Sequence, residues 1–219
     1  MAVEQPALEL LAALGWEVLS GFDEPTELGR PSKADVVLGA RLRDAVVRLN
    51  LGLDAGAVDA AVAAFWEDRS SLDPVRANKA VWEILRDGVV VQAVNEQGNR
   101  EPRRVRFVAW DVADQNEFLA VSQLWVTGEL HTRRTDIVLF VNGIPLVIGE
   151  AKTPVRPAIS WVDGAIDIHD NYEINVPQMF VPNVFSFATD GKIFRYGSIR
   201  MPIEMWGPWR DDDNKGEGQ

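Results

Sequence analysis

"TDIVLFVNGIPLVIGEAKTP", residues 135–154, decides how this chain is read. It holds two apolar runs, Ile137 to Val141 and Ile144 to Ile148, with the length and β-branched content of strands. Asn142-Gly143 between them is a strong hairpin signal, because both residues tolerate positive φ. An acid, Asp136, opens the first run, and the second ends in Glu150-Ala151-Lys152. Charges at the end of a buried strand are costly to desolvate unless something there uses them. Strand side chains alternate, so Ile148, Glu150 and Lys152 share a face and Ala151 points to the other.

Register decides whether Asp136 joins them. A plain two-residue loop would pair Val141 with Ile144 and Asp136 with Gly149, on the face opposite Glu150. A three-residue loop with Gly143 left-handed, or a bulge between Asp136 and Glu150, puts both carboxylates on one face. One of these is expected if the two acids act together. An acid, then about a dozen residues, then Glu-x-Lys has the shape of a divalent-metal phosphodiesterase site. The competing reading is a surface ion pair at a strand end. The tripeptide alone is weak, since Glu-x-Lys or Asp-x-Lys arises about once by chance in a chain of this size. Asp190-Gly191-Lys192 and Asp213-Asn214-Lys215 fit it too, the first reading as a hairpin turn and the second as polar tail. Only Glu150 ends a strand whose hairpin partner begins with an acid.

Outward from this hairpin, the first half of the chain is helical. Helical spacing predicts a helix over residues 4–14, with Gly15 at its C-terminus. Residues 20–33 read as loop. Three further helices follow in "ADVVLGARLRDAVVRLN", "AGAVDAAVAAFWED" and "DPVRANKAVWEILRDG", the last with Asp73 as N-cap before Pro74. From residue 89 the pattern turns to strands: "GVVVQAV", "RRVRFVAWDV" and "EFLAVSQLWVTGEL" lead to the hairpin. "AISWVDGAIDIHDNY" returns to helical spacing, with Trp161, Ala165, Ile168 and Tyr172 on one stripe. "NVFSFATDGKIFRYG" reads as a hairpin turning at Asp190-Gly191. No repeat and no long linker divides the chain. One α/β domain over residues 1–210 is expected, with a helical N-terminal half packed on a sheet, and a polar tail or linker over 211–219.

Composition narrows the chemistry. There is no cysteine and only His131 and His169, which excludes a thiolate site and argues against a histidine-rich one. His169 reads as a surface helix residue. No apolar run approaches a membrane span, and the N-terminus lacks a basic secretory start, so a cytoplasmic protein is expected. The net charge of −11 argues against a general DNA-coating surface. DNA would have to be met at a local patch, for which Arg103, Arg104, Arg106, Arg133, Arg134, Lys152 and Arg156 are candidates. Arg133 and Arg134 lie next to Asp136 in the chain. The alternative for "EPRR" is a solvated loop. Trp161, Trp206 and Trp209 read as packing residues.

"RRTDIVLFVNGIPLVIGEAKTP" strongly resembles the nuclease module at the start of the motor (R) subunit of type I restriction-modification enzymes, a member of the PD-(D/E)xK superfamily. The likeness covers nearly the whole chain: "VEQPALELLAALGWEVLSG", "VVLGARLRDAVVRLN", "NEFLAVSQLWVTG", "VPQMFVPNVFSFATDGKIFRYGSI" and "PWR" are similar to that family in the same order. The resemblance implies a restriction-endonuclease-like mixed β-sheet flanked by helices. It implies a Mg²⁺-dependent type I site-specific deoxyribonuclease, with Mn²⁺ able to substitute. Asp136 and Glu150 would be metal ligands, the Ala151 carbonyl a further one, and Glu4 a supporting acid. Lys152 would be the catalytic lysine. Glu4 equally suits a solvated first helical turn, where the macrodipole favours an acid. The implied partners are double-stranded DNA, the motor domains of a full R subunit, and methyltransferase and specificity subunits.

One feature departs from that family, which usually carries Gln-x-x-x-Tyr on the helix after the lysine. Tyr172 is present, but the position four before it is Ile168. Asp167, His169 and Asp170 cannot take the glutamine's place without a shift of helical register. There is also no Gly-x-x-x-x-Gly-Lys-Ser/Thr phosphate loop, so no P-loop ATP site is expected in this chain. The alternative to the nuclease is a catalytically weakened module of the same fold, acting as a docking platform for motor domains. A nuclease for RNA or single strands is the third reading.

Overall fold

The computed structural model describes residues 3–23, 26–153 and 159–209. Helix α1 (Glu4–Ala13) ends before Gly15, whose φ is +90°, and leads into strand β1 (Glu17–Ser20). Three helices follow: α2 (Gly39–Leu49), α3 (Ala55–Phe65) and α4 (Pro74–Asp87). Asp54 and Asp73 cap the last two by accepting the amides of Ala57 and Arg76, both at 3.1 Å. Such caps contribute about 1 kcal/mol each.

Strands β2 (Val89–Val94) and β3 (Arg100–Val105) form a separate antiparallel pair packed on α3. Next come β4 (Phe118–Ser122), β5 (Trp125–Thr127), β6 (Thr132–Arg134), β7 (Ile137–Val141) and β8 (Ile144–Ala151). After α5 (Trp161–Ile166), a π-helical turn over Asp167–Tyr172 and α6 (Glu173–Asn175), the chain ends in β9 (Phe185–Thr189), β10 (Phe194–Gly197) and β11 (Gly207–Pro208). The main sheet has seven strands in the order β1-β4-β7-β8-β9-β10-β11. It is mixed: β1 runs parallel to β4 and β8 parallel to β9, and the other pairs are antiparallel. The α/β class and the helical N-terminal part are as expected.

The alternation of β7 shows how the sheet is sandwiched. Ile137 packs with Leu8 of α1 and Ala120 on one face. Val138 and Phe140 join the main core on the other, with Leu42 and Val46 of α2, Ile148 of β8, and Ala165 and Ile168 beyond it. Phe107, Phe140 and Phe180 are fully buried there. Each such ring contributes roughly 1.5–3 kcal/mol of burial.

Four local readings need correction. The loop expected from residue 20 starts one residue later, because Ser20 closes strand β1, which pairs with β4. "EFLAVSQLWVTGEL" is not one strand: Gln123 takes φ +54° and splits it into β4 and a small β5–β6 ribbon. "EPRR" is strand, not loop. The connection between β9 and β10 spans residues 190–193, longer than a two-residue Asp-Gly turn. The expected tail at 211–219 lies outside the described residues.

Candidate active site

The β7–β8 hairpin turns at Asn142 and Gly143, whose φ values of +53° and +76° are those of a two-residue left-handed turn. Val141 pairs with Ile144 and Phe140 with Pro145, but Leu139 pairs with Val147. Leu146 is thus an extra residue, a β-bulge. The expected three-residue loop is absent and the expected bulge is present. Beyond it Val138 faces Ile148 and Ile137 faces Gly149, so the next pair is Asp136 with Glu150. The two acids therefore stand opposite each other on the main-core face.

The regular ladder ends here, and the two side chains take over its amides. Asp136 N–H donates to Glu150 Oε1 at 3.2 Å, and Ala151 N–H donates to Asp136 Oδ2 at 2.9 Å. Strand β8 continues alone beside β9, with Lys152 N–H donating to the Thr189 carbonyl at 2.8 Å. The β7–β8 pairing thus ends at the two carboxylates.

Glu150 is 2% exposed. Burial, then the neighbouring Asp136, pushes its carboxyl up to about pH 8, against the pull of Lys152 and Tyr172. Without a cation, Glu150 holds a proton at neutral pH. Tyr172 Oη donates to Glu150 Oε1 at 2.8 Å and also lies 2.9 Å from the Arg134 carbonyl, so its one hydrogen is shared between two acceptors. Burial and Glu150 raise the Tyr172 phenol well above its ordinary value, so it stays neutral.

Gln123 serves the other acid. Its Nε2 donates to Asp136 Oδ1 at 3.2 Å and to Glu4 Oε1 at 2.9 Å. Glu4, buried in the first turn of α1, thus approaches the site through an amide rather than by direct contact with Asp136. Among the described residues no three His, Cys, Asp or Glu side chains converge as a ready metal cage.

Lys152 Nζ donates to Glu150 Oε2 at 3.1 Å and to Asp167 Oδ2. Burial opposes its charge, but Glu150 and Asp167 outweigh burial and hold the ammonium above its ordinary pKa. Asp167 comes from the π-helical turn. In an α-helix, residues four apart share a face; in a π turn the repeat is nearer five. Asp167, five before Tyr172, faces the site with it, while Ile168 is fully buried in the core. The helix can approach because residue 164 is glycine. A Cβ there would lie 3.2 Å from Glu150 Cβ and 3.5 Å from Lys152 Cε.

Around the site, Arg134 is exposed and lies over the rings of Phe22 and Trp125 at 5.7 and 5.4 Å. Arg133 bonds Asn171 of the π turn. Both sit on the β5–β6 ribbon beside Asp136. Arg103 and Arg104 sit on β3, outside the main sheet; Arg103 pairs with Glu101 and Arg104 donates to the Asp87 carbonyl. Arg106 follows β3 directly. Arg156 lies outside the described residues. His169 bonds Asp170 at 2.6 Å. Sequence reasoning missed Gln123 and Asp167. Only a left-handed backbone at residue 123 and a changed helical repeat at 167–172 make them visible, and neither leaves a compositional signal.

Comparisons with known proteins place this architecture. The model of the type I restriction enzyme R protein N terminus matches residues 1–202. Over 217 residues the chain is 34% identical to the type I restriction enzyme HindI endonuclease subunit of Haemophilus influenzae, covering 97% of this chain and 20% of that protein. It is 27% identical over 222 residues to the "Putative type I restriction enzyme MjaIXP endonuclease subunit" of Methanocaldococcus jannaschii, covering 96% of this chain and 21% of that one. The chain thus spans about a fifth of the length of these relatives. It belongs to the family of the type I restriction enzyme R protein N terminus.

Proposed function

We propose that residues 1–210 form a Mg²⁺-dependent nuclease domain that hydrolyses phosphodiester bonds of double-stranded DNA within a type I restriction system. The observation that carries this reading is the bulge that sets Asp136 opposite Glu150, with the Lys152 ammonium on the same face. The donor set fits a hard divalent ion: two carboxylates and the Ala151 carbonyl, with room in the coordination shell for water and phosphate oxygens. Two ionised acids this close repel each other, and burial followed by Asp136 raises the Glu150 carboxyl above its ordinary range, an arrangement that a cation would relieve. When bound, Mg²⁺ or Mn²⁺ would lower the pKa of an attacking water and stabilise the leaving oxygen.

The chain's own groups do the rest. Asp136 and Glu150 would hold the ion, and Gln123 and Tyr172 fix the orientation of those acids. Glu4 braces Gln123. Lys152 would offer its ammonium to the charge that develops on the phosphate, stabilisation that grows in the transition state. Arg133 and Arg134 on the neighbouring ribbon would meet the DNA backbone. Sequence recognition and translocation would come from motor domains and from methyltransferase and specificity subunits.

The test is nicking of supercoiled plasmid by the chain in Mn²⁺, with and without EDTA, for wild type and Asp136→Ala. Metal-dependent nicking lost in the variant supports the reading. Metal-independent nicking, or equal nicking by the variant, overturns it. A chain that stays silent even within a complete R subunit would be the docking module instead.

A further inference from the structure

We infer that Asp167 is a positioning residue for Lys152, brought to the site by the π-helical turn. This rests on the nuclease reading for its consequence but not for its geometry. Three observations carry it. Asp167 Oδ2 accepts a hydrogen bond from Lys152 Nζ, whose other carboxylate partner is the buried Glu150. The turn over Asp167–Tyr172 has the wider π repeat, so Asp167 and Tyr172 both reach the Glu150–Lys152 pair and Ile168 fills the core. Gly164, one turn earlier, lies close to the pair: a Cβ there would stand 3.2 Å from Glu150 Cβ, a tight contact, and 3.5 Å from Lys152 Cε.

An unbranched lysine stem has four rotatable bonds and much rotamer freedom to lose. One contact with Glu150 does not hold it securely. If a metal takes up the Glu150 oxygens, that contact weakens further. Asp167 is the second carboxylate on the ammonium and, at 40% exposed, is open to solvent where Glu150 is not. It keeps Nζ by the acids while leaving one hydrogen for an incoming phosphate. A π turn is a rare helix geometry that occurs frequently at functional sites. Here it re-aims an oxygen acceptor towards the lysine.

The chain has five lysines, few enough for each ε-methylene signal to be assigned after ¹³C labelling. Wild type, Asp167→Ala, Asp167→Asn and Asp170→Ala would be compared as the full chain. Asp170 lies on the same turn but bonds His169, so its variant controls for general effects on the helix. In wild type the Lys152 ε-signals should be split and displaced from those of the solvent-exposed lysines. Asp167→Ala should collapse them onto that envelope, whereas Asp167→Asn, which keeps an acceptor, and Asp170→Ala should not. In a complete R subunit, plasmid cleavage should fall by 10- to 100-fold in Asp167→Ala and only a few-fold in Asp167→Asn, with DNA affinity unchanged. A Lys152 signal that stays displaced in Asp167→Ala overturns the inference. So does a released Lys152 with cleavage at the wild-type rate. If wild type itself does not cut, the nuclease reading fails while the lysine spectrum still decides the anchoring.

Discussion

Asp136 stands opposite Glu150 because Leu146 is left over in the ladder between their strands. With an unbulged register Asp136 would face Gly149 and stay on the main-core face with Val138 and Phe140, while Glu150 would turn to the α1 side. One extra residue therefore separates a pair of coupled acids from two unrelated ones. The pair also explains the local backbone: each side chain accepts an amide beside the other, so neither N–H is left without a partner as the strands part.

Mg²⁺ or Mn²⁺ should raise the melting temperature, since a ligand of the folded state stabilises by mass action. At a hundredfold excess over Kd the gain is about 2.7 kcal/mol. For a chain of this size that is on the order of 5–10 °C. Asp136→Ala should abolish the shift in differential scanning calorimetry. An identical metal response in variant and wild type would remove Asp136 from the ion site.

Stability should fall as pH rises from about 5 to 8 in the absence of metal. The folded chain keeps a proton on Glu150 up to about pH 8, whereas the unfolded chain releases it near 4.5. Between those values the folded state binds more protons, so the contribution is fully present below 4.5 and is lost as pH passes 8. Glu173, raised by burial, acts in the same direction. The slope is at most about 1.4 kcal/mol per pH unit for each proton. Glu150→Gln, or saturating metal, should flatten it. A metal-free melting temperature that is flat between pH 5 and 8 in wild type would contradict the buried proton.

How much of this was legible in the sequence follows from which forces act over short range. The helices and strands announced themselves, because apolar periodicity and the Asp73-Pro74 and Asn142-Gly143 signals are local. The Asp136, Glu150 and Lys152 trio was legible as spacing, and the bulge as a condition that spacing would have to meet. Its position at Leu146 was not, since any of several residues could have been the extra one. Gln123 was hidden inside an apparent strand, because nothing in "AVSQLWV" marks a left-handed backbone. Asp167 was hidden because a four-residue helical repeat assigns its place to Ile168. Strand β1 was too short to show a period of two.

Tyr172→Phe should destabilise by about 1–3 kcal/mol, the cost of leaving a buried acceptor without its donor. Both Glu150 Oε1 and the Arg134 carbonyl lose a partner. The melting temperature should drop by several degrees at pH 6. Cleavage should fall as well, because Glu150 loses the group that orients it. A variant with wild-type stability and activity would show the hydroxyl to be dispensable.

DNA binding by the chain alone should be weak and steeply salt-dependent. The net charge of −11 opposes a polyanion, and Arg133 and Arg134 supply only a small local patch. Replacing both by alanine should reduce the salt slope by about two phosphate contacts. Submicromolar affinity that survives high salt would point to a specific interface elsewhere on the chain.

Lys152 gives the sharpest separation of roles. Its ammonium bonds Glu150 Oε2 and Asp167 Oδ2 but offers no lone pair to an ion, so Lys152→Ala should bind Mn²⁺ as well as wild type or slightly better. A nearby positive charge opposes a cation, and its removal favours one. Plasmid cleavage should nevertheless fall by orders of magnitude, because stabilisation present only in the transition state disappears. DNA affinity should change by no more than one phosphate contact. Lys152→Arg should not restore cutting: the guanidinium is planar and larger, and the space between Glu150, Asp167 and Gly164 fits a compact ammonium. Calorimetric Mn²⁺ titration and plasmid cleavage on the three proteins, within a complete R subunit, separate the two roles. If Lys152→Ala cuts at the wild-type rate, the Glu150–Lys152 contact is a structural ion pair at a strand end and the nuclease reading of this site is wrong.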